Sequence, residues 1–172
     1  MLEMLAKECG MECEIVGRVD ALGDAVSSTR IRELLANGDV ETANDLLGYN
    51  YYMKGEVVHG KELGRQMGIP TANLLFRDNA AALAHGIYYT KTEIDGKEYI
   101  SVSNVGIRPT VENTKRVNLE THILDFDGDV YGKTIKVSFC GRGRGERTFE
   151  NVDALRNEIA IDCQKARDFF SK

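Results

Sequence analysis

The chain has 172 residues, a formal net charge of −5, and 42% hydrophobic and 28% charged residues. That length suits one domain, or one domain with an appendage, and supplies enough apolar material for a core. The acidic balance excludes a whole-surface nucleic-acid binder, which is normally basic, and no stretch approaches the roughly 20 apolar residues that cross a bilayer.

Residues 1–48 read as helical with one short strand, "CEIVGRV" at 13–19. In "VSSTRIRELLANG" Ser27 or Ser28 can cap a helix, Ile31, Leu34 and Leu35 form its apolar stripe, and Gly38 ends it. "DVETANDLLG" repeats the logic from an Asp39 cap to a Gly48 stop, which predicts a helical hairpin. From about residue 50 the pattern changes. "YYMKGEVVHG" reads as a strand, and "GIYYTKTEIDGKEYISVSNVG" as two strands around Asp95-Gly96. "VNLETHILDFDGDVYGKTIKVSF" predicts a second hairpin of that design around Asp127-Gly128. Several short strands with turn signals point to an antiparallel barrel or sandwich. Val152, Leu155, Ile159, Ala166 and Phe169 or Phe170 recur at helical spacing, so a C-terminal helix is expected against the barrel.

The start, "MLEMLAKECGMECEIVGR", carries acids and no small-residue cleavage site, so no secretory signal is expected there. Cys9, Cys13, Cys140 and Cys163 form no C-x-x-C pair, and histidines number three. A zinc site is therefore not expected, and the cysteines read as reduced packing thiols of a cytosolic protein. Two phosphate-loop near misses fail. "GEVVHGKE" ends in Glu62 where a hydroxyl is needed, and "DVYGKT" lacks the upstream glycine. "DFDGDV" lacks the glycine and glutamate of a calcium loop and reads as a solvated hairpin turn.

The segment "VVHGKELGRQMGIPTANL" places Gly60, Gly64 and Gly68 four residues apart, with Lys61 and Arg65 among them. Exposed backbone N–H groups and positive charge suit a polyphosphate. Thr71 and Asn73, two apart, can face one side of a strand and offer two neutral oxygens to a hard cation such as Mg2+. The alternative is a Gly-rich loop whose Thr and Asn bond the backbone. In "NLETHILDF" Glu120 and His122 share a face with apolar residues, a setting that tends to raise a carboxyl pKa and suits a general base. The alternative there is an exterior glutamate in water. "GRGRGERTF" reads as an anion-binding loop, a nucleic-acid contact or a solvated loop.

Taken together, "GEVVHG", "GRQMGIPTANL", "GIYY", "VSNVGIRPT", "LETHILDFDGDVYGK" and "RGERTF…DALRNEIAIDCQKA" resemble the riboflavin kinase module of bacterial bifunctional FAD synthetases. They occur in the family's order across residues 50–170, and PTAN with the downstream E-T-H is its specific combination. "VSSTRIRELLANGDVETANDLLG" resembles the end of the adenylyltransferase domain that precedes the kinase in these enzymes. The resemblance thus implies a remnant of that domain at 1–48 and a kinase domain at 49–172, with no FMN adenylylation from this chain. It implies a six-stranded antiparallel Greek-key barrel with a C-terminal helix, and the reaction of ATP with riboflavin to give FMN and ADP. In it Thr71 and Asn73 hold Mg2+, the Gly60–Gly68 loop covers the nucleotide phosphates, Glu120 is the catalytic base, and Arg144 lies in the flavin-side loop. Lys61, Glu62 and Leu63 depart from the small, basic stretch usual in that loop. The alternative is a non-catalytic flavin- or nucleic-acid-binding barrel, against which the negative charge and the joint presence of PTAN and Glu120 both count.

Overall fold

The computed structural model describes residues 1–21, 23–60, 64, 67–75, 80–109 and 115–171, without the side chains of 24, 107–109, 115 and 116. Four helices are described: α1 (Leu2–Glu8), α2 (Ser28–Asn37), α3 (Val40–Leu47) and α4 (Val152–Phe170). Two-residue strands β1 (Asp20–Ala21) and β2 (Asp24–Ala25) pair with each other. The main sheet comprises β3 (Tyr52–Glu56), β4 (Ala72–Leu75), β5 (Gly86–Ile94), β6 (Lys97–Pro109), β7 (Lys115–Ile123) and β8 (Thr134–Arg144).

The strand order is β3-β8-β5-β6-β7-β4, antiparallel throughout. Strands β5, β6 and β7 follow one another, and β8 returns beside β5, which is the Greek-key arrangement. A bridge between Val58 and Asn73, with Val58 N donating to Asn73 O at 2.9 Å, joins the two ends into a nearly closed barrel. Asp95 and Gly96 both take positive φ, +50° and +80°, and turn β5 tightly into β6 as their sequence predicts.

The expected hairpin at Asp127-Gly128 does not form, because β8 pairs with β5 and β3 rather than with β7. The chain leaves β7 at Asp125, in the left-handed region at φ +55°. There the carboxylate accepts two bonds from Arg167 of α4, at 2.6 and 2.8 Å. Residues 126–131 line a cavity instead of closing a turn. The expected strand at 13–19 is also absent, and the pairing falls one step later, at β1 and β2.

Alternation sends Tyr88, Thr90, Thr92 and Ile94 of β5 inward, where they meet Val105, Leu119, Ile135, Val137 and Phe139. The interior is partly polar. Thr90 Oγ1 lies 2.8 Å from Ser101 Oγ and 2.7 Å from Ser103 Oγ, which meets Thr121 Oγ1 at 2.9 Å. All four residues are fully buried, so each hydroxyl depends on the others for its hydrogen bonds. Helices α2 and α3 start at Ser27 and Asp39 caps and end at left-handed Gly38 and Gly48, as expected. Their Leu35, Val40 and Ala43 belong to the barrel's own core cluster. Asn44 fastens α3 to β8 by donating to Phe139 O at 2.8 Å. In a separate cluster α4 covers Val102 and Ile100 of β6 through Ala166 and Cys163.

Candidate active site

The geometry is set by three adjacent strands, β6, β7 and β4. Register places Glu120 of β7 directly between Asn104 of β6 and Asn73 of β4. Directly opposed residues face the same side, so these side chains share the barrel's outer surface. Leu74 and Leu119, one residue on, fill the interior. Glu120 is exposed, while Asn73 is 96% buried. Asn118, two residues before Glu120, ties them together. Its Nδ2 donates to Asn73 Oδ1 at 3.2 Å and to Glu120 Oε1 at 3.1 Å. Asn73 Nδ2 in turn donates to the backbone carbonyl of Thr71 at 3.4 Å, so the local backbone bonding weighed as an alternative is present. It leaves Thr71 Oγ1 available, together with the second lone pair of Asn73 Oδ1, whose first accepts from Asn118.

The glycines act by close approach. A Cβ on Gly60 would stand 2.5 Å from Asn73 Nδ2, and one on Gly64 would stand 2.4 Å from the Ile69 carbonyl and 3.5 Å from Thr71 Oγ1. Gly60 therefore lies against the Asn73 amide and Gly64 against the turn that carries Thr71. Gly68 supplies a left-handed turn at φ +75° instead. Lys61 and Arg65 lie outside the described residues. His122 fixes the turn from the β7 side, with Nδ1 2.8 Å from Pro70 O.

Two cavities meet at this seam, and both are bordered by Thr71. One, about 430 Å³, is lined by Gly60, Asn73, Thr121, Asp127, Asp129 and Tyr131 among others. Tyr131 is stacked on His59 at 4.0 Å between ring centroids. The other, about 380 Å³, holds Glu120 and His122 beside Ile87, Val102, Leu155 and Ile159. Its wall between the barrel face and α4 is therefore largely aliphatic, with Phe149 also lining it.

Arg144 borders this second cavity, and its guanidinium is committed to α4. Nη2 donates to Asp162 Oδ2 at 2.7 Å and Nε to both Asp162 oxygens at 3.2 Å, with Glu158 Oε1 3.3 Å away. Asp162 is 2% exposed. Arg147 also meets Glu158, at 3.0 Å, and Arg142 donates to the carbonyls of Asn37 and His85. The arginine loop is thus an internal clamp. Near the first cavity, hydrogen bonds from Arg167 hold the Asp125 carboxyl below its ordinary range.

Sequence reasoning brought Thr71, Asn73 and Glu120 forward, and the structure places them together. Asn104, Asn118 and Asp162 escaped it. Asn118 shares a strand face with Glu120 by simple alternation, but its link to Asn73 depends on register across strands.

A family model described as Flavokinase, riboflavin kinase, matches residues 47–170. The bifunctional riboflavin kinase/FMN adenylyltransferase of Bacillus subtilis is 38% identical over 92% of this chain and 51% of its own length. A solved structure from Streptococcus pneumoniae, named a macrolide-efflux protein, is 35% identical with a TM-score of 0.83, over 96% of this chain and 54% of that one. A riboflavin kinase structure from Trypanosoma brucei shares the fold at a TM-score of 0.50 and 23% identity, over 70% of this chain and 80% of that one. The chain spans about half the length of the curated relatives it matches. A family match over residues 47–170, a relative of this similarity and a barrel with two cavities beside the β4–β7 seam agree: the chain belongs to the riboflavin kinase family.

Proposed function

We propose that this chain transfers the γ-phosphoryl group of ATP to the ribityl 5′-hydroxyl of riboflavin, giving FMN and ADP. The observation that carries this reading is the register of β4 on β7. It sets Asn73 opposite Glu120 at the seam of a polar-edged cavity and a largely aliphatic one. Phosphoryl transfer asks a protein for positioning and charge neutralisation. The nucleotide occupies the cavity bordered by Gly60 and Tyr131, with the Gly60–Gly68 loop, including Lys61 and Arg65, over its phosphates. The flat, apolar isoalloxazine ring lies between Ile87 and Val102 of the barrel and Leu155 and Ile159 of α4, with Arg144 clamping that wall.

Thr71 Oγ1 and Asn73 Oδ1 hold Mg2+, which when bound offsets the charge of the phosphate oxygens. The residues fit such an ion: the donors are neutral oxygens, and Gly60 and Gly64 leave a cradle that a Cβ would fill. Glu120 accepts the hydroxyl proton as the oxygen attacks the γ-phosphorus, a role worth about 10²–10⁴-fold. Its exposure at the cavity rim leaves it open to the substrate.

The nucleic-acid alternative is disfavoured because Arg142, Arg144 and Arg147 are engaged by protein partners rather than presented along a groove. The efflux named for the Streptococcus structure is set aside, since the family model and curated relatives agree on one chemistry that both cavities fit. We also take residues 1–48 as the end of an adenylyltransferase domain and 49–172 as the kinase domain, and place the reaction in the cytoplasm. Four free cysteines suit a reducing compartment, and no described helix is long and apolar enough to cross a membrane.

Incubation with riboflavin, ATP and Mg2+ followed by chromatography tests the reading: FMN and ADP form without FAD, and absence of FMN overturns it. Thr71→Ala raises the Mg2+ concentration for half-maximal rate, while an unchanged titration removes Thr71 from the ion.

A further inference from the structure

Asn118 is 4% exposed and carries one donor group between the two residues that the proposed chemistry needs most. Its amide orientation is fixed by its surroundings. Turning it over would press Oδ1 against Asn73 Oδ1 and Glu120 Oε1, both acceptors. As it stands, Oδ1 is buried without a hydrogen-bond partner among the described residues. Leaving a buried acceptor unpaired is costly, and nothing in barrel packing requires an asparagine here. Its neighbours across the strands are Leu75 and Gly106. What the side chain does accomplish is a fork, with one amino hydrogen to each site residue.

We propose that Asn118 is a positioning residue for phosphoryl transfer. Its amino group holds Glu120 by Oε1 and Asn73 by Oδ1, and so leaves Glu120 Oε2 to take the substrate proton. This rests on the reading of Glu120 as the base. In the step concerned the O–H bond of the 5′-hydroxyl breaks and its proton passes to Oε2. The hydroxyl oxygen's electron pair bonds to the γ-phosphorus, and the bond from that phosphorus to the β,γ-bridging oxygen breaks as ADP leaves. The other titratable or charged groups bordering the same cavity are His122 on β7, Arg144 on β8, Glu146 and Arg147 after it, and Asp162 on α4.

The test uses the full chain with Asn118→Ala, Asn118→Asp, Glu120→Gln and the pair Asn118→Ala/Glu120→Gln. Loss of a bond to a charged group predicts a fall in kcat of about 10–100-fold for Asn118→Ala, with KM for riboflavin within about threefold. Asn118→Asp keeps the shape, and it carries the test if the alanine variant does not fold. Its like charge beside Glu120 predicts at least as large a loss. In the Glu120→Gln background, removing Asn118 costs less than about twofold more, because both changes strike one unit. A merely structural role lowers the melting temperature but leaves the losses of Asn118→Ala and Glu120→Gln additive. That pattern, with Glu120→Gln itself impaired, overturns the assignment of Asn118 and leaves the base intact. Wild-type turnover in Glu120→Gln removes both.

Discussion

Gly60→Ala probes the account at its narrowest clearance. Gly60 is not among the positive-φ residues, so an alanine meets no backbone strain there. What its Cβ meets is the Asn73 amide, with Nδ2 at 2.5 Å, Cγ at 2.8 Å and Oδ1 at 2.9 Å. Carbon contacts settle near 3.5–4.0 Å, so the amide or the loop must withdraw by roughly 1 Å. Asn73 has little freedom to do so without losing its bonds to Asn118 and to Thr71 O. A displacement of that size in a catalytic constellation costs about 10²-fold, or about 2.7 kcal/mol of transition-state stabilisation. The assay is FMN formation under varied Mg2+ and ATP, alongside riboflavin binding followed by flavin fluorescence. The variant loses about 10²-fold in kcat/KM for ATP, while riboflavin affinity stays within about threefold, since Gly60 borders only the first cavity. Turnover within threefold of wild type would refute the claim that Gly60 is needed to seat Asn73.

The resemblance puts Arg144 in the flavin-side loop, but for Arg144→Ala the structure predicts a loss of stability first. The substitution strands the Asp162 carboxylate, 2% exposed, at a cost of about 3–5 kcal/mol. Urea denaturation reads this as a lower midpoint, and an unchanged midpoint would show the clamp to be dispensable. The thiols should divide by location: Cys9 and Cys13 are exposed, whereas burial pushes the Cys140 thiol up to about 11 and raises that of Cys163. At pH 8 only about one Cys140 in 10³ is then thiolate. A disulfide reagent should give two fast and two slow thiols, with the Cys140 rate climbing about tenfold per pH unit, and four equally fast thiols would contradict the burial.

Local chemistry made much of this fold readable. Ser27, Asp39, Gly38 and Gly48 mark helix ends through bonds within a few residues, and Asp95-Gly96 makes its turn from its own φ preferences. The same signal at Asp127-Gly128 misleads, because β8 pairs with β5 and β3 rather than with β7, a choice made far along the chain. Thr71, Asn73 and Glu120 were legible as candidate site residues by residue type. Their juxtaposition, and the fork made by Asn118, were not, since both depend on which residue of β4 faces which residue of β7. For Arg144 the sequence located the loop but not Asp162, which lies on another element and consumes its charge.

Single-turnover phosphoryl transfer with Glu120→Gln is the most direct trial of the central claim, that one carboxylate at the seam of the two cavities takes the substrate proton. Riboflavin and Mg-ATP binding should stay within about threefold of wild type, while the rate of FMN formation falls by about 10²–10⁴-fold. A variant that binds both substrates and forms FMN at the wild-type rate would contradict it.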